Sequence, residues 1–189
     1  MSLTILCGKT SSGKDHLLKI LVNDFNFERI VTCTDRPKRE GETEGVEYFF
    51  KSKEEFDELI KNDGLLEYRI YDTLVNNVPD TWRYGTPKDI KLDNNKDYIM
   101  ILTPDGIKKL KEIYKDARVF YIDTSYGTRH NRCILRGDYD ETEWLRRKET
   151  DDKDFSDDII NQLNARTIIN ENRDIYDVAK QINNFAKYV

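Results

Sequence analysis
Apolar residues gather in short runs between charged stretches, and two periodicities take turns along the chain. Leu3-Thr4-Ile5-Leu6-Cys7 reads as a buried strand, and Leu17, Leu18, Ile20, Leu21 and Val22 recur at helical spacing over about Asp15 to Phe25. A short extended stretch, Glu28 to Cys33, leads into a polar loop over 34–42 punctuated by Pro37 and Gly41. Val46 to Phe50 predicts a strand. Ser52-Lys53-Glu54-Glu55 is a capping box opening a helix with apolar Phe56, Leu59 and Ile60, and Asn62-Asp63-Gly64 ends it. Leu65 to Tyr71 and Trp82 to Tyr84 predict strands; the polar stretch Asp72 to Thr81 between them reads as an insertion of loop composition, open to lengthening a hairpin, contacting a ligand or doing neither.

Beyond these, Asp97 to Leu102 predicts a strand, and Thr103-Pro104 starts a helix with Pro at its first position. Arg118 to Ile122 is a further strand. Helical segments follow over about Ser125 to Leu135 and Glu141 to Thr150, joined by Gly137-Asp138. A helix near Phe155 to Asn164, a strand at Thr167 to Ile169 and a terminal helix from Ile175 complete the pattern. Strands alternating with helices predict an α/β fold: a doubly wound parallel sheet with helices on both faces. The strand-rich block breaks the alternation and reads as a small insert. The expected divisions are a core of residues 1–31, 88–124 and 148–189, an insert at 32–87 and a helical lid at 125–147.

Composition narrows the partners. Of 189 residues, 35% are charged and 38% apolar, and the net charge is −5, which argues against a general basic surface for nucleic acid. Any anionic ligand must be met by local clusters of Arg and Lys. Cys7, Cys33 and Cys133 are odd in number and widely spaced, which disfavours a disulfide framework or a zinc site and suits a reducing compartment. No apolar segment reaches bilayer length, and the five-residue apolar start is too short for a signal peptide. The expectation is a cytoplasmic chain, away from membranes, as a monomer or homodimer.

The first strand and helix enclose Gly8-Lys9-Thr10-Ser11-Ser12-Gly13-Lys14-Asp15. Two glycines at this spacing let the backbone curl so that the N–H groups around Gly8, Ser11, Ser12 and Gly13 face inward. Lys14 adds a compact positive charge for outer phosphates. The plain alternative is a Ser-rich turn with Gly13 easing the helix start. Asp15 stands where Ser or Thr would hold magnesium (Mg2+); a carboxylate is a hard oxygen ligand for that ion, but adds negative charge beside the phosphates.

Arg36 and Arg39, three apart on a Pro-containing loop, suit a guanidinium fork around one phosphate. Arg132 and Arg136 lie one helical turn apart, and Arg147 follows on the next helix; two basic helices with a Gly hinge describe a lid. Each of these arginines has an ordinary solvated-surface reading as well. His16 and His130 read as incidental helix residues, and the acidic run around Asp151 to Asp158 as a solvated helix junction without calcium-loop spacing.

Taken in order, the cradle, Thr32-Cys33-Thr34-Asp35-Arg36-Pro37 with Arg39 and Gly41, Gly45-Val46-Glu47-Tyr48, Leu66-Glu67-Tyr68 and Tyr84-Gly85-Thr86 resemble the guanylate kinases. The spacing of Arg132, Arg136 and Arg147 and the position of Asn170 match that family too, so the resemblance runs from about Leu3 to Asn170. It implies a P-loop nucleoside monophosphate kinase that moves the γ-phosphoryl of ATP to GMP or dGMP with Mg2+. On that resemblance, Gly8, Ser11, Ser12, Gly13, Lys14, Asp15 and Asn170 would serve ATP, with Asp15 on the metal. Thr32, Arg36, Arg39, Tyr48, Glu67, Tyr84, Thr86 and Thr103 would serve the monophosphate. Lys14, Arg36, Arg39, Arg132, Arg136 and Arg147 would stabilise the transferring group.

Two departures from the family pattern bear on chemistry. The ribose bisphosphate phosphokinases carry a similar Gly-Lys-Asp ending, which implies that Asp15 is compatible with activity. The segment Ile101-Leu102-Thr103-Pro104-Asp105-Gly106 replaces a family Asp-x-Asp run, so guanine selection would rest on Glu67 with Thr32 and Thr86. The alternatives are a related kinase with another (deoxy)nucleotide or a sugar phosphate as acceptor, and a non-catalytic binding module of the same family.

Overall fold
The computed structural model describes residues 2–75, 78–137, 139–171 and 174–188. Two compact units emerge: Met1–Arg29 with Asp93–Val189, and Ile30–Leu92. The helical segment expected as a lid belongs to the first of them; Asp138 of its Gly137-Asp138 turn lies outside the described residues.

The first unit is built on a five-stranded sheet of β1 (Ser2–Cys7), β2 (Phe27–Arg29), β7 (Asp97–Ile101), β8 (Arg118–Asp123) and β9 (Arg166–Ile169). All pairings are parallel, in the order β2-β7-β1-β8-β9. The chain fills one side of β1 and then the other, so β1 ends at the point where strand order reverses. That is where open α/β sheets leave a crevice for ligands. Leu6, Ile99, Phe120 and Ile122 point to one face, packed with Leu17, Leu18 and Leu21 of α1 (Lys14–Phe25) and Val178, Ala179 and Ile182 of α7 (Ile175–Tyr188). The alternate residues Ile5, Met100, Val119 and Tyr121 are buried as well, and the Tyr121 ring stacks on Phe155 at 5.6 Å. A sheet covered on both faces explains why its strands read as nearly continuous apolar runs.

Three further helices of this unit matter below. α3 (Pro104–Ile113) starts as expected, with Thr103 capping Gly106 N–H and Pro104 in the first turn. α4 (Tyr126–Leu135) is capped by Ser125, and α5 (Glu141–Asp154) by Asp140. The helix expected at Phe155 to Asn164 is shorter, α6 at Asp157–Gln162, because Phe155 is spent closing α5 and filling the core.

The second unit carries a four-stranded sheet, β4-β3-β6-β5, from β3 (Cys33–Thr34), β4 (Phe49–Phe50), β5 (Leu65–Val75) and β6 (Val78–Pro87). The capping box is present, with Ser52 and Glu55 satisfying each other's backbone at the start of α2 (Lys53–Lys61). Phe56 of α2 packs with Cys33 and Leu65 in the core. The strand expected at Val46 to Phe50 shrinks to two residues. The stretch Asp72 to Thr81 is an extension of the hairpin: Asp72 pairs with Thr81, Thr73 with Asp80, and Val75 with Val78. Lys53 forms an ion pair with Asp80 on that extension. Asn76 and Asn77 lie outside the described residues.

All three thiols are free and buried. Burial pushes the Cys7 thiol up to about 12 and Cys33 up to about 11, so neither supplies thiolate at neutral pH. Native protein at pH 8 is therefore expected to react with less than one equivalent of a thiol reagent over minutes, and with three after unfolding in urea. Rapid native labelling of Cys7 or Cys33 would contradict the packing.

Candidate functional site
Candidate chemistry falls on each unit separately. In the first, β1 ends at Cys7 and the chain turns through residues 8–13 into α1. Gly8 has φ +148°, and a Cβ there would lie 2.6 Å from the Ile122 carbonyl oxygen; Gly13 has φ +95°, and a Cβ would lie 2.5 Å from Asn170 Nδ2. Only glycine fits either position. Gly13 is the N-cap of α1 and brings no side-chain acceptor, so the first-turn N–H groups and the helix dipole are left for an anion. Ser11 takes a left-handed φ of 60°, and its buried hydroxyl has no hydrogen-bond partner among the described residues.

Lys14 folds over this loop, donating to Gly8 O at 2.6 Å and Lys9 O at 2.9 Å. Desolvation draws its pKa below the ordinary lysine value, while Asp15 and Asp151 pull back towards the charged form. Asp15 is exposed in the first turn of α1.

The loop is held from outside by side chains that arrive late in the sequence. Ser12 O accepts Asn170 Nδ2–H at 2.7 Å and Arg132 Nη1–H at 3.3 Å, and Arg132 Nη2 donates to Asn170 O at 3.0 Å. Asn170 is 1% exposed. Its amide is spent on the loop, so it shapes the cradle from behind. Thr10 is gripped at both ends of its backbone: its N–H donates to Asp151 Oδ2 at 2.7 Å, and its carbonyl accepts Arg129 Nη1–H at 3.2 Å. Lys9 pairs with Asp152 at 2.6 Å. Lys148 and Lys9 together hold the Asp152 carboxyl down to about 2.

Of the other basic residues on α4 and α5, Arg136 is exposed with Nη2 at 3.9 Å from Cys133 Sγ, and Arg147 Nε donates to Glu143 Oε1 at 2.7 Å. Thr103 carries the N-cap of α3, its oxygen accepting Gly106 N–H at 3.4 Å.

In the second unit, Asp35 and Arg83 set the loop that carries Arg36. Arg83 Nε donates to Asp35 Oδ2 at 2.6 Å, its own N–H reaches Asp35 Oδ1 at 2.6 Å, and the Thr34 hydroxyl donates to Arg83 O at 2.7 Å. Arg36 is 3% exposed, with its guanidinium carbon 5.6 Å from the Tyr48 ring centre and 5.8 Å from that of Phe50. It donates to Pro37 O and to Glu42 Oε1, both at 2.7 Å, and hydrogen-bonds Tyr84; Arg36 Nε is buried without a partner among the described residues. Glu42 Oε2 accepts the Arg39 N–H at 2.8 Å. Burial pushes the Glu42 carboxyl up, but Arg36 and the Arg39 N–H outweigh it and hold it below the usual range. The Tyr48, Tyr84 and Tyr71 rings pack edge to face in a row.

Beside them Glu67, 7% exposed, accepts the Thr86 hydroxyl at 2.6 Å on Oε1. Thr86 is fully buried, and Thr32 half-buried with its carbonyl accepting Phe49 N–H at 2.9 Å. A buried cation with a spare N–H, a row of tyrosines and a buried carboxylate on a β-sheet can recognise an anion together with a polar ring.

Three residues of this chemistry escaped the sequence reading: Arg129, Asp151 and Glu42. The acidic run holding Asp151 is only partly a solvated junction, because Asp151 is buried and Asp152 is exposed. Its signal was helical register: Asp151 lies seven residues after the buried Trp144, on the same face of α5. Arg129 likewise lies four residues before the buried Cys133 on α4.

The guanylate kinase family model matches residues 1–186. The chain is 36% identical over 140 residues to the guanylate kinase of Clostridium tetani, covering 71% of this chain and 63% of that protein. It is 34% identical over 174 residues to the guanylate kinase of Mycoplasmoides gallisepticum, covering 88% and 83%. The chain thus spans under two thirds of the Clostridium tetani relative's length and most of the Mycoplasmoides one. The crystal structure of guanylate kinase from Anaplasma phagocytophilum superposes with a TM-score of 0.58 at 21% identity, over 97% of this chain and 84% of that one. Its likeness is one of fold. By sequence, the chain belongs to the guanylate kinase family.

Proposed function
We propose that this protein transfers the γ-phosphoryl group of ATP to GMP or dGMP, giving ADP and GDP or dGDP. The observation that carries the reading is that one chain holds both an intact phosphate loop under Lys14 and, in its other unit, the buried Glu67–Thr86 pair together with buried Arg36. A non-catalytic binding module has no use for the first, and a sugar-phosphate kinase has none for the second.

The loop N–H groups and Lys14 take the triphosphate. Arg36, Arg39, Tyr48 and Tyr84 take the acceptor phosphate, and Glu67 accepts from the two ring-side N–H donors of guanine, which adenine does not offer in that arrangement. The acceptor phosphate has a second pKa of about 6 and is mostly a dianion at pH 7, so no general base is required. Catalysis is then alignment and charge stabilisation through a loose transition state.

Asp15 fits a magnesium ion: it is an exposed carboxylate in the turn after Lys14, and magnesium takes one or two carboxylates with substrate phosphates. When bound, the ion would offset charge on the β- and γ-phosphates. Asp15→Ser is expected to keep measurable turnover, since a hydroxyl serves the same ion; complete loss would mark the carboxylate as essential.

One observation favours a second reading. Thr103 offers no charge, and its oxygen is engaged at the start of α3, so another nucleoside monophosphate remains the competing acceptor. Purified protein with ATP, magnesium and each (deoxy)nucleoside monophosphate or sugar phosphate, assayed for ADP release, decides. Turnover best with GMP or dGMP supports the proposal, a different best acceptor supports the second reading, and turnover with none overturns both. Among the described residues no helix is long and apolar enough to cross a membrane.

A further inference from the structure
Asp151 is 9% exposed, although it sits within a run of three carboxylates, Asp151, Asp152 and Asp154, broken only by Lys153. Desolvation raises its carboxyl above the usual range, and its contacts with Thr10, Lys14 and Arg129 oppose that rise. A buried carboxylate is retained at a cost unless its hydrogen bonds are specific. Here they are. Oδ2 accepts the Thr10 N–H at 2.7 Å and lies 3.5 Å from Arg129 Nη1, which itself donates to the carbonyl of Thr10.

We propose that Asp151 is a positioning residue for ATP: with Arg129 it clamps the outer limb of the phosphate loop, so that the N–H of Thr10 faces α5, that of Ser12 stays on Lys9 O, and the first-turn N–H groups of α1 remain available to phosphate. This rests on the kinase reading for the identity of the ligand, but the clamp itself does not. Loss of the carboxylate frees the Thr10 N–H and leaves Arg129 without its counter-ion, and the loop samples conformations that do not fit a triphosphate. Preorganisation of this kind is read as affinity, because each misfitted state lowers the fraction competent to bind. The effect is selective for ATP, since Arg36, Arg39, Tyr48, Glu67 and Tyr84, proposed for the monophosphate, belong to the other compact unit.

Two substitutions separate shape from charge. Asp151→Asn keeps an oxygen for the Thr10 N–H, whereas Asp151→Ala keeps none, and Asp151→Ser replaces the latter if it fails to fold. Calorimetric titration is expected to show ATP binding about tenfold weaker in Asp151→Ala, within about threefold of wild type in Asp151→Asn, and GMP binding unchanged in both. Exchange of the Thr10 amide with deuterium is expected to speed up about tenfold in Asp151→Ala alone. Equal weakening of ATP and GMP, or an unchanged Thr10 amide, overturns the proposal. Wild-type protein that binds no ATP, yet shows the Asp151-dependent amide, overturns the kinase reading and leaves the clamp standing.

Discussion
Lys14→Ala is expected to lower kcat by about 10²–10³-fold, the scale seen when one preorganised charge is removed from a transition state. The substitution takes away the cation that lies over the loop, hydrogen-bonded to Gly8 O and Lys9 O. Those carbonyls belong to the loop's own rim and can turn to water, so the fold should survive: the thermal midpoint is expected to stay within a few degrees of wild type. GMP binding should be unaffected. Steady-state kinetics with an unchanged KM for GMP and collapsed kcat is the predicted pattern. A drop of less than tenfold would mean that Lys14 is not the group meeting the γ-phosphate, and would return the loop to the status of a tight turn.

The second large effect is expected at Glu67. Its carboxylate is buried and already accepts one hydroxyl, from Thr86. An ionised carboxylate is acceptor-only, so it can take that hydroxyl and two N–H groups of a guanine ring at once. Glu67→Gln exchanges one oxygen for an NH2 group, which must face either the Thr86 hydroxyl or the base. The hydroxyl can rotate to accept; the base N–H cannot. A buried donor left unpaired costs about 1–3 kcal/mol, so kcat/KM for GMP is expected to fall by about 10- to 100-fold. The KM for ATP should stay within twofold. Equal losses for both substrates would remove Glu67 from base recognition and favour a role in holding β5 against β6.

Most of the architecture was legible because it is written in local chemistry. The β1–loop–α1 unit, the Ser52 capping box and the Thr103-Pro104 helix start each depend on residues that are near neighbours in sequence. The hairpin extension was legible only as one of several readings of the insertion. Asp72, Asp80, Pro79 and two asparagines argue for loop at every local level, yet the strands pair because each is continued from a stretch already held in register by β3 and α2. At the candidate site the same division holds. Glycines and Lys14 announce themselves by spacing, whereas Asp151, Arg129 and Glu42 look like any surface charge until the backbone groups they satisfy are brought to them from far along the chain.

That distance bears on synthesis. The turn that would seize a nucleotide leaves the ribosome well before the amide that pins Ser12, which comes 158 residues later, and before the strands that flank β1. A nascent chain must therefore carry its central strand unpaired for most of its elongation. Any truncation short of Asn170 would release a protein whose phosphate loop is spelled correctly and never sets.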